Sequence, residues 1–442
     1  MLEKLRISLS HLRFRLSHVR FSTLRAAKSA RFANCSLLKH ERNREKIRLK
    51  IRLKIKAEIK IIGEIMAGIY IHIPFCRQKC SYCDFVSFPD KIGYAEAYMA
   101  CVYKELKMRG EELKGRVFDT VYFGGGTPSY IPPKLILGAM NRIRESFTLS
   151  ENAEITLELN PGTIGEEKVK IYEKAGINRF SIGLQTAIDS QLEDLGRIHN
   201  ARDYVYAAKL LKGKNFSTDV MLGLKNQSKD DIKKTIELAA ACGSSHISMY
   251  ALTVEDGTPI YTDYLNGELP DSDEVADMYD FGRNLLENLG YRRYEISNFA
   301  KPCFESRHNL NYWRRGEYIG VGLAASSFMN GKRFTNTFNL DDYMKCVISG
   351  FFPAVDCEEV GEADAKFEKV MLALRTAEGL SLAEYEKEFS SAFEEDFPAA
   401  LSKTRKYLDF SEDGARVKIK DEYLYVQNRI LMPFMEEPRQ RD

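Results

Sequence analysis

The sequence predicts an α/β fold: an incomplete (β/α)6 barrel followed by a small α+β C-terminal domain. Three observations carry this. Six short apolar or β-branched runs each stop in polar or glycine-rich residues, at 68–74, 118–124, 154–160, 179–185, 217–223 and 246–252. The intervals, on the order of 30 residues or the size of a βαβ step, hold amphipathic helical patterns such as Ala95 to Leu113 and Asp230 to Cys242. After about residue 356 the pattern changes to helices at 362–377 and 380–393, then short alternating runs at Arg416–Ile419 and Tyr423–Val426. Strands alternating with helices make parallel units. Six units fall short of the eight of a closed barrel.

Composition narrows the function classes. A chain of 442 residues exceeds one ordinary domain, and 44% hydrophobic content supports a sizeable core. No run of about 18 apolar residues exists, so membrane contact is at most peripheral. The net charge of +2 hides an asymmetry. Residues 1–65 hold 18 Lys and Arg against 5 Asp and Glu, leaving 47 of the 65 basic and 58 of the 63 acidic residues for the rest. The main body is mildly acidic, which argues against nucleic-acid binding. Nine cysteines, three clustered and six scattered, fit a reducing compartment rather than a secreted disulfide framework, so a cytoplasmic location is expected.

Residues 1–65 read as a basic extension outside the fold. Residues 1–38 carry one acid, Glu3, among many Arg and Ser, as a transit peptide does, and 46–56 alternates basic and apolar residues. A translation start at Met66 is the favoured reading, with an organelle presequence second. The expected divisions are a partial barrel over 66–255, a barrel extension over 256–355 and a helical and hairpin domain over 356–442.

The first strand, 68–74, ends at Pro74 and runs into Cys76, Cys80 and Cys83, spaced Cys-x3-Cys-x2-Cys. Four protein ligands close a structural zinc site. Three leave a position open, as on one iron of a [4Fe-4S] cluster. A zinc knuckle with a distant fourth ligand is the competing reading. The second strand ends in Gly124-Gly125-Gly126-Thr127-Pro128, where glycines let the backbone approach a ligand. The third ends at Glu158, the fourth at Gln185, and Arg197 and His199 follow in LGRIH. Asp219 lies in the fifth strand. In barrels of this kind, function sits at the carboxyl ends of the strands.

The cysteine spacing directly after a strand resembles the radical S-adenosylmethionine (SAM) superfamily, and the later motifs fit it in order. The resemblance implies that SAM chelates the open iron and that Gly125, Gly126, Thr127, Glu158, Gln185, Arg197 and Asp219 contact it. A guanidinium at Arg197 suits the SAM carboxylate because it offers a two-pronged hydrogen-bond fork. Leu222 to Leu224 is expected to line the adenine. Tyr70 and Tyr82 are plausible contacts, with core packing a nearly equal alternative, and packing is the commoner fate for His199.

Beyond the barrel, 253–270 reads as a long loop and about 272–289 as a helix. Then comes Arg307-His308-Asn309-Leu310-Asn311-Tyr312-Trp313, with the only tryptophan. A histidine among aromatics suits a haem, which takes an axial imidazole and stacks on rings, but more often belongs to a packed core.

Residues 68–440 resemble the coproporphyrinogen III oxidase-like branch of that superfamily, and HNxxYW is typical of its HemW-type haem chaperones. The stretch Gly320 to Ser327, whose small residues permit close packing, and the C-terminal part resemble the same branch. The oxidases carry a fourth cysteine after one intervening residue; here that position is Phe85. The resemblance therefore implies a carrier of haem that also binds a [4Fe-4S] cluster and SAM, and delivers haem to haem-dependent respiratory proteins. The implied haem-binding residues are His308, Asn309, Tyr312 and Trp313. Haem and its client proteins are the implied partners, and a homodimer is compatible with the reading. The alternative is a coproporphyrinogen III oxidase that decarboxylates two propionates to vinyl groups by radical chemistry.

Overall fold

A computed structural model describes residues 67–436, which belong to one compact unit. The expectations for residues 1–65 lie outside the described residues.

The six expected strands form: β1 (Ala67–Ile73), β2 (Val117–Gly125), β3 (Thr148–Leu159), β4 (Arg179–Gln185), β5 (Asn215–Leu222) and β6 (His246–Ala251). Each pairs in parallel with the next. The connecting helices are α1 (Ala95–Glu112), α2 (Pro133–Ser146), α3 (Glu166–Lys174), α4 (Asp189–Asp194), α5 (Ala201–Leu210) and α6 (Lys229–Ala241). Helix starts follow the sequence: Asn200 with Asp203 and Ser228 with Asp231 make reciprocal capping boxes on α5 and α6.

Strand β4 shows why the sheet curls around a polar interior. All seven of its residues are buried. Phe180, Ile182 and Leu184 join the apolar core beneath the helices. The alternate residues Arg179, Ser181, Gly183 and Gln185 line an internal cavity. A period of two puts the two sets on opposite faces. Burying each of the three apolar side chains contributes about 1.5–3 kcal/mol. The same alternation gives β3 its inward Thr156 and Glu158, β5 its Ser217 and Asp219, and β6 its His246, Ser248 and Tyr250.

The sheet runs to twelve strands and does not close, so the barrel is incomplete. Beyond β6 it continues through β7 (Arg292–Arg293) and β8 (Asn298–Ala300), the latter antiparallel to β6. At the other edge β9 (Glu317–Val321) pairs in parallel with β1, followed by antiparallel β10 (Ser326–Met329), β11 (Lys332–Asn336) and β12 (Ala354–Glu359). The sequence reading did not count β9 as a strand. At Gly320 an added Cβ would lie 2.2 Å from the Ser326 carbonyl oxygen, so the small residue there does permit the close approach of β10.

The stretch 253–270 is not all loop: it contains α7 (Tyr261–Leu265). Ile260 anchors it, donating its N–H to the Ser81 carbonyl at 3.0 Å and packing with Leu195, Met221 and Leu224. Helix α8 (Ser272–Asn288) follows as expected, and α9 (Arg307–Trp313) carries HNxxYW.

The C-terminal part has its own apolar core, including Leu374, Tyr385, Phe393, Phe397 and Phe434. It holds helices at Glu362–Ala373 and Leu382–Phe389 and a small sheet with β15 (Arg416–Ile419) between β13 (Leu380–Ser381) and β14 (Leu408–Phe410). The expected strand at Tyr423–Val426 is instead a 3-10 turn over Asp421–Val426. Both edges of β15 are already paired, and only Leu424 of this run is buried, so its alternation faces no sheet.

Candidate functional site

The cysteine loop is tied down by backbone hydrogen bonds along its length. Gly126 and Thr127 donate their N–H groups to the Ile73 and Phe75 carbonyls at 2.8 and 2.9 Å. Phe88 donates back to Pro74 at 2.8 Å, and Ser81 to Leu195 at 3.0 Å. The GGGTP turn must therefore press against the loop. A Cβ at Gly126 would lie 2.9 Å from the Phe75 carbonyl oxygen and 3.0 Å from the Cys76 sulfur. Gly125 has φ +111°, and a Cβ there would meet the His72 ring at 2.7 Å.

Cys76, Cys80 and Cys83 line one wall of a cavity of about 610 Å³. Thr127 donates its hydroxyl to the Cys76 sulfur at 3.5 Å, and Arg197 donates to the Cys80 sulfur at 3.6 Å. Burial pushes the Cys76 and Cys83 thiols up. Among the described residues no three His, Cys, Asp or Glu side chains converge as a single metal ion requires. Three thiols on one wall are a ligand set that a zinc ion with a further ligand, or an iron–sulfur cluster with one open iron, would use.

Arg197 links this loop to the strand ends. Its guanidinium also donates to the Gly183 carbonyl at 2.9 Å and to Tyr82 Oη at 3.3 Å, while its buried Nε has no partner. Burial works against the cation, but Tyr82 and Cys80 beside it outweigh that and hold its pKa above the ordinary arginine value. Glu158 accepts from Tyr122 Oη at 2.8 Å, and burial pushes its carboxyl up to about 7. Asp219 accepts from Ser181 Oγ at 3.3 Å, and burial raises it to about 6. Gln185 sits at φ +69°, where the β4–β5 register slips, and accepts from Tyr250 Oη at 2.9 Å. Strain of this kind at a strand end re-aims a side chain.

Of the residues expected to contact SAM, Tyr82, Gly125, Gly126, Thr127, Glu158, Gln185, Arg197 and Asp219 all line this one cavity. Tyr70 does not. It faces an adjoining cavity of about 570 Å³, stacked on Tyr122 with its hydroxyl 3.2 Å from His72 Nδ1. Leu222, Gly223 and Leu224 pack behind the wall, with Leu224 in an apolar cluster and Gly223 against Val275. His199 is buried with Nε2 3.3 Å from the Leu184 carbonyl, and burial followed by the Arg197 charge pushes it down to about 3.

Helix α9 is the opposite wall. Asn309, Tyr312 and Trp313 line the main cavity. His308 does not: it is buried, stacked on Tyr122 at 5.0 Å, with Nδ1 2.7 Å from Thr120 Oγ1 and Nε2 2.8 Å from Tyr312 Oη. Burial holds it neutral, at about 3. Both ring nitrogens are engaged, so this ring braces α9 against β2 rather than presenting a free nitrogen. Glu154 fixes the helix start, accepting the N–H groups of Arg307 and His308 at 3.2 and 3.1 Å.

The sequence reading missed the deep wall: Thr156, Arg179, Ser181, Ser217, His246 and Asn298. The signal was present in Arg179-x-Ser181-x-Gly183-x-Gln185, polar or small at every inward position of a strand otherwise apolar.

Comparisons with known proteins agree with this architecture. The radical SAM superfamily model matches residues 70–239, and the HemN C-terminal domain model matches residues 362–426. The haem chaperone HemW of Haemophilus influenzae is 37% identical over 335 residues, 72% of this chain and 85% of that protein. That of Bacillus subtilis is 32% identical over 355 residues, 79% of this chain and 92% of that protein. The chain belongs to the HemW haem chaperone family. Coproporphyrinogen III oxidase (HemN) from Escherichia coli superposes with a TM-score of 0.74 over 84% of this chain and 90% of that one, at 19% identity, so the two share a fold. Within the HemW family framework, the wall of thiols and the wall formed by α9 enclose one chamber.

Proposed function

We propose that this chain carries haem and binds a [4Fe-4S] cluster and SAM in the chamber between the cysteine loop and α9. The observation that supports this most is Arg197, which touches Cys80, Tyr82 and the end of β4 at once and keeps an unpartnered Nε in the cavity wall. Cys76, Cys80 and Cys83 would hold the cluster, which supplies an open iron for the amino and carboxylate groups of SAM. Arg197 would pair with the SAM carboxylate. Glu158 and Asp219, whose carboxyls burial raises to about 7 and about 6, would accept hydrogen bonds from its amino and ribose groups. Tyr82, Gly125, Gly126, Thr127 and Gln185 complete that pocket, with Tyr70 supporting it from behind through Tyr122.

Haem would stack at the mouth, against Trp313, Tyr312 and the exposed ring of Phe85. Asn309 faces the same space, and His308 positions Tyr312. The cargo passes to haem-dependent respiratory proteins in the cytoplasm or at its membrane boundary, with a homodimer as one route to transfer. Among the described residues the eight cysteines form no disulfide, which supports a reducing location. Among the described residues no helix is long and apolar enough to cross a membrane.

One preparation tests the reading. Under strict anaerobiosis with reductant and SAM, the protein should bind haem and leave coproporphyrinogen III unchanged. Robust formation of protoporphyrinogen IX would transfer the assignment to the oxidase class. Zinc without iron in freshly purified protein would remove the cluster.

A further inference from the structure

The deep end of the barrel lumen holds polar groups that neither the thiols nor the proposed SAM contacts use. Arg179 opens β4, four residues before Gly183. At about 3.3 Å per residue it lies about 13 Å down the lumen from the level of Arg197 and Asp219. It is 1% exposed. One guanidinium nitrogen donates to the Phe304 carbonyl at 3.0 Å, and that nitrogen stands 3.9 Å from Glu154. The other, Nη2, is buried with no partner.

Its neighbours are donors too. Ser306 donates its N–H to Tyr294 Oη at 3.3 Å, and that hydroxyl also pairs with His246 Nε2 at 2.8 Å. When the tyrosine donates in that pair, the imidazole proton is on Nδ1, which is buried and unpartnered. Thr156 Oγ1 is likewise buried without a partner. Glu295 accepts the Ser297 N–H through one oxygen, while its other oxygen is unpartnered. Burial raises this carboxyl to about 7, so near neutrality it is substantially protonated and able to donate. A buried polar group left unpaired costs about 1–3 kcal/mol. Several donors left open around one guanidinium form a receptor for a carboxylate.

The adjoining cavity offers no such receptor. Its guanidiniums, Arg315 and Arg333, close on Glu368 at 2.9 and 2.6 Å. They are neutralised where they stand.

We infer that the floor of the lumen, built by Arg179, Thr156 and His246, is a carboxylate-binding subsite distinct from the one at Arg197. Resting on the proposed haem reading, the carboxylate it takes is a propionate of the bound porphyrin. Arg179 and Arg197 then divide the labour: one guanidinium for the porphyrin acid, the other for the amino-acid end of SAM. Asn298, whose Oδ1 is also buried without a partner, borders the same floor.

Titration of the full chain with iron protoporphyrin IX and with its dimethyl ester tests this. The ester keeps the ring and the iron but removes both negative charges. The free acid should bind at least about tenfold more tightly, the worth of one charge-assisted hydrogen bond. Arg179→Met and Thr156→Val should each shrink that ratio and leave ester affinity unchanged. Thr156→Val is nearly isosteric, so it serves if the arginine variant does not fold. Equal affinity of the parent for acid and ester, or equal weakening of both ligands in the variants, would overturn the subsite. Failure of the parent to bind either porphyrin would overturn the haem reading itself.

Discussion

Glu295→Gln should change the pH dependence of stability in a direction opposite to most carboxylates. Glu295 is 1% exposed, and burial, opposed by hydrogen bonds from Ser297 and Asn298, raises its pKa from the ordinary 4.5 to about 7. The folded protein therefore holds a proton that the unfolded chain has lost between those two values. Linkage then makes this group costly as pH rises through that window, and the full cost is present at pH 8. Each tenfold in proton affinity is about 1.4 kcal/mol, so the cost at pH 8 is about 3 kcal/mol. At pH 5 it is under about 1 kcal/mol by the same relation.

Glutamine keeps the oxygen that accepts from Ser297 but cannot ionise. It also leaves an amide N–H group beside an unpartnered position, a pH-independent penalty of about 1–3 kcal/mol. The informative quantity is therefore the change with pH, not the absolute difference. Urea unfolding of metal-free parent and variant at pH 5, 6, 7 and 8 should show the variant gaining about 2 kcal/mol on the parent across that range. A constant difference would refute the argument, because it would mean that Glu295 ionises in the fold as readily as in water. A difference falling with pH would mean that the carboxylate is stabilised by Arg293 or Arg179 more than burial opposes it.

Three further outcomes follow from contacts at the site. Gly126→Ala puts a methyl 2.9 Å from the Phe75 carbonyl and 3.0 Å from the Cys76 sulfur, so reconstituted protein should hold less iron and sulfide per chain while keeping its helical circular dichroism. Trp313→Ala should weaken haem binding about tenfold or more, since stacked aromatic faces contribute about 0.5–1.5 kcal/mol beyond their buried area; unchanged haem spectra on titration would exclude the ring from the mouth. His308→Ala should destabilise the fold by about 2 kcal/mol or more by leaving Thr120 and Tyr312 without partners, and should weaken haem binding only through Tyr312; haem iron that loses an imidazole ligand in this variant would show that the ring rotates out to bind.

What was legible in the sequence was the part written in one strand at a time. Ile69, Ile71 and Ile73 mark β1 as buried, and Pro74 ends it, so the cysteines fall at the strand's carboxyl end whatever the rest of the chain does. Glu158 and Gln185 could be placed for the same reason, since each stands at or next to the end of its own strand. What stayed hidden depends on partners far along the chain. His308 reads as a haem ligand until Thr120, 188 residues away, occupies its Nδ1. Strand β9 is too short and too polar at Glu317 to stand out, and pairing with β1 and β10 makes it a strand. Arg179 looks like a surface cation preceding an apolar run, because a charge at the amino end of a strand is usually solvated. Its burial follows from α9 and β8 closing over the lumen, and nothing within several residues of it records that. The same closure leaves its Nη2 without a protein partner.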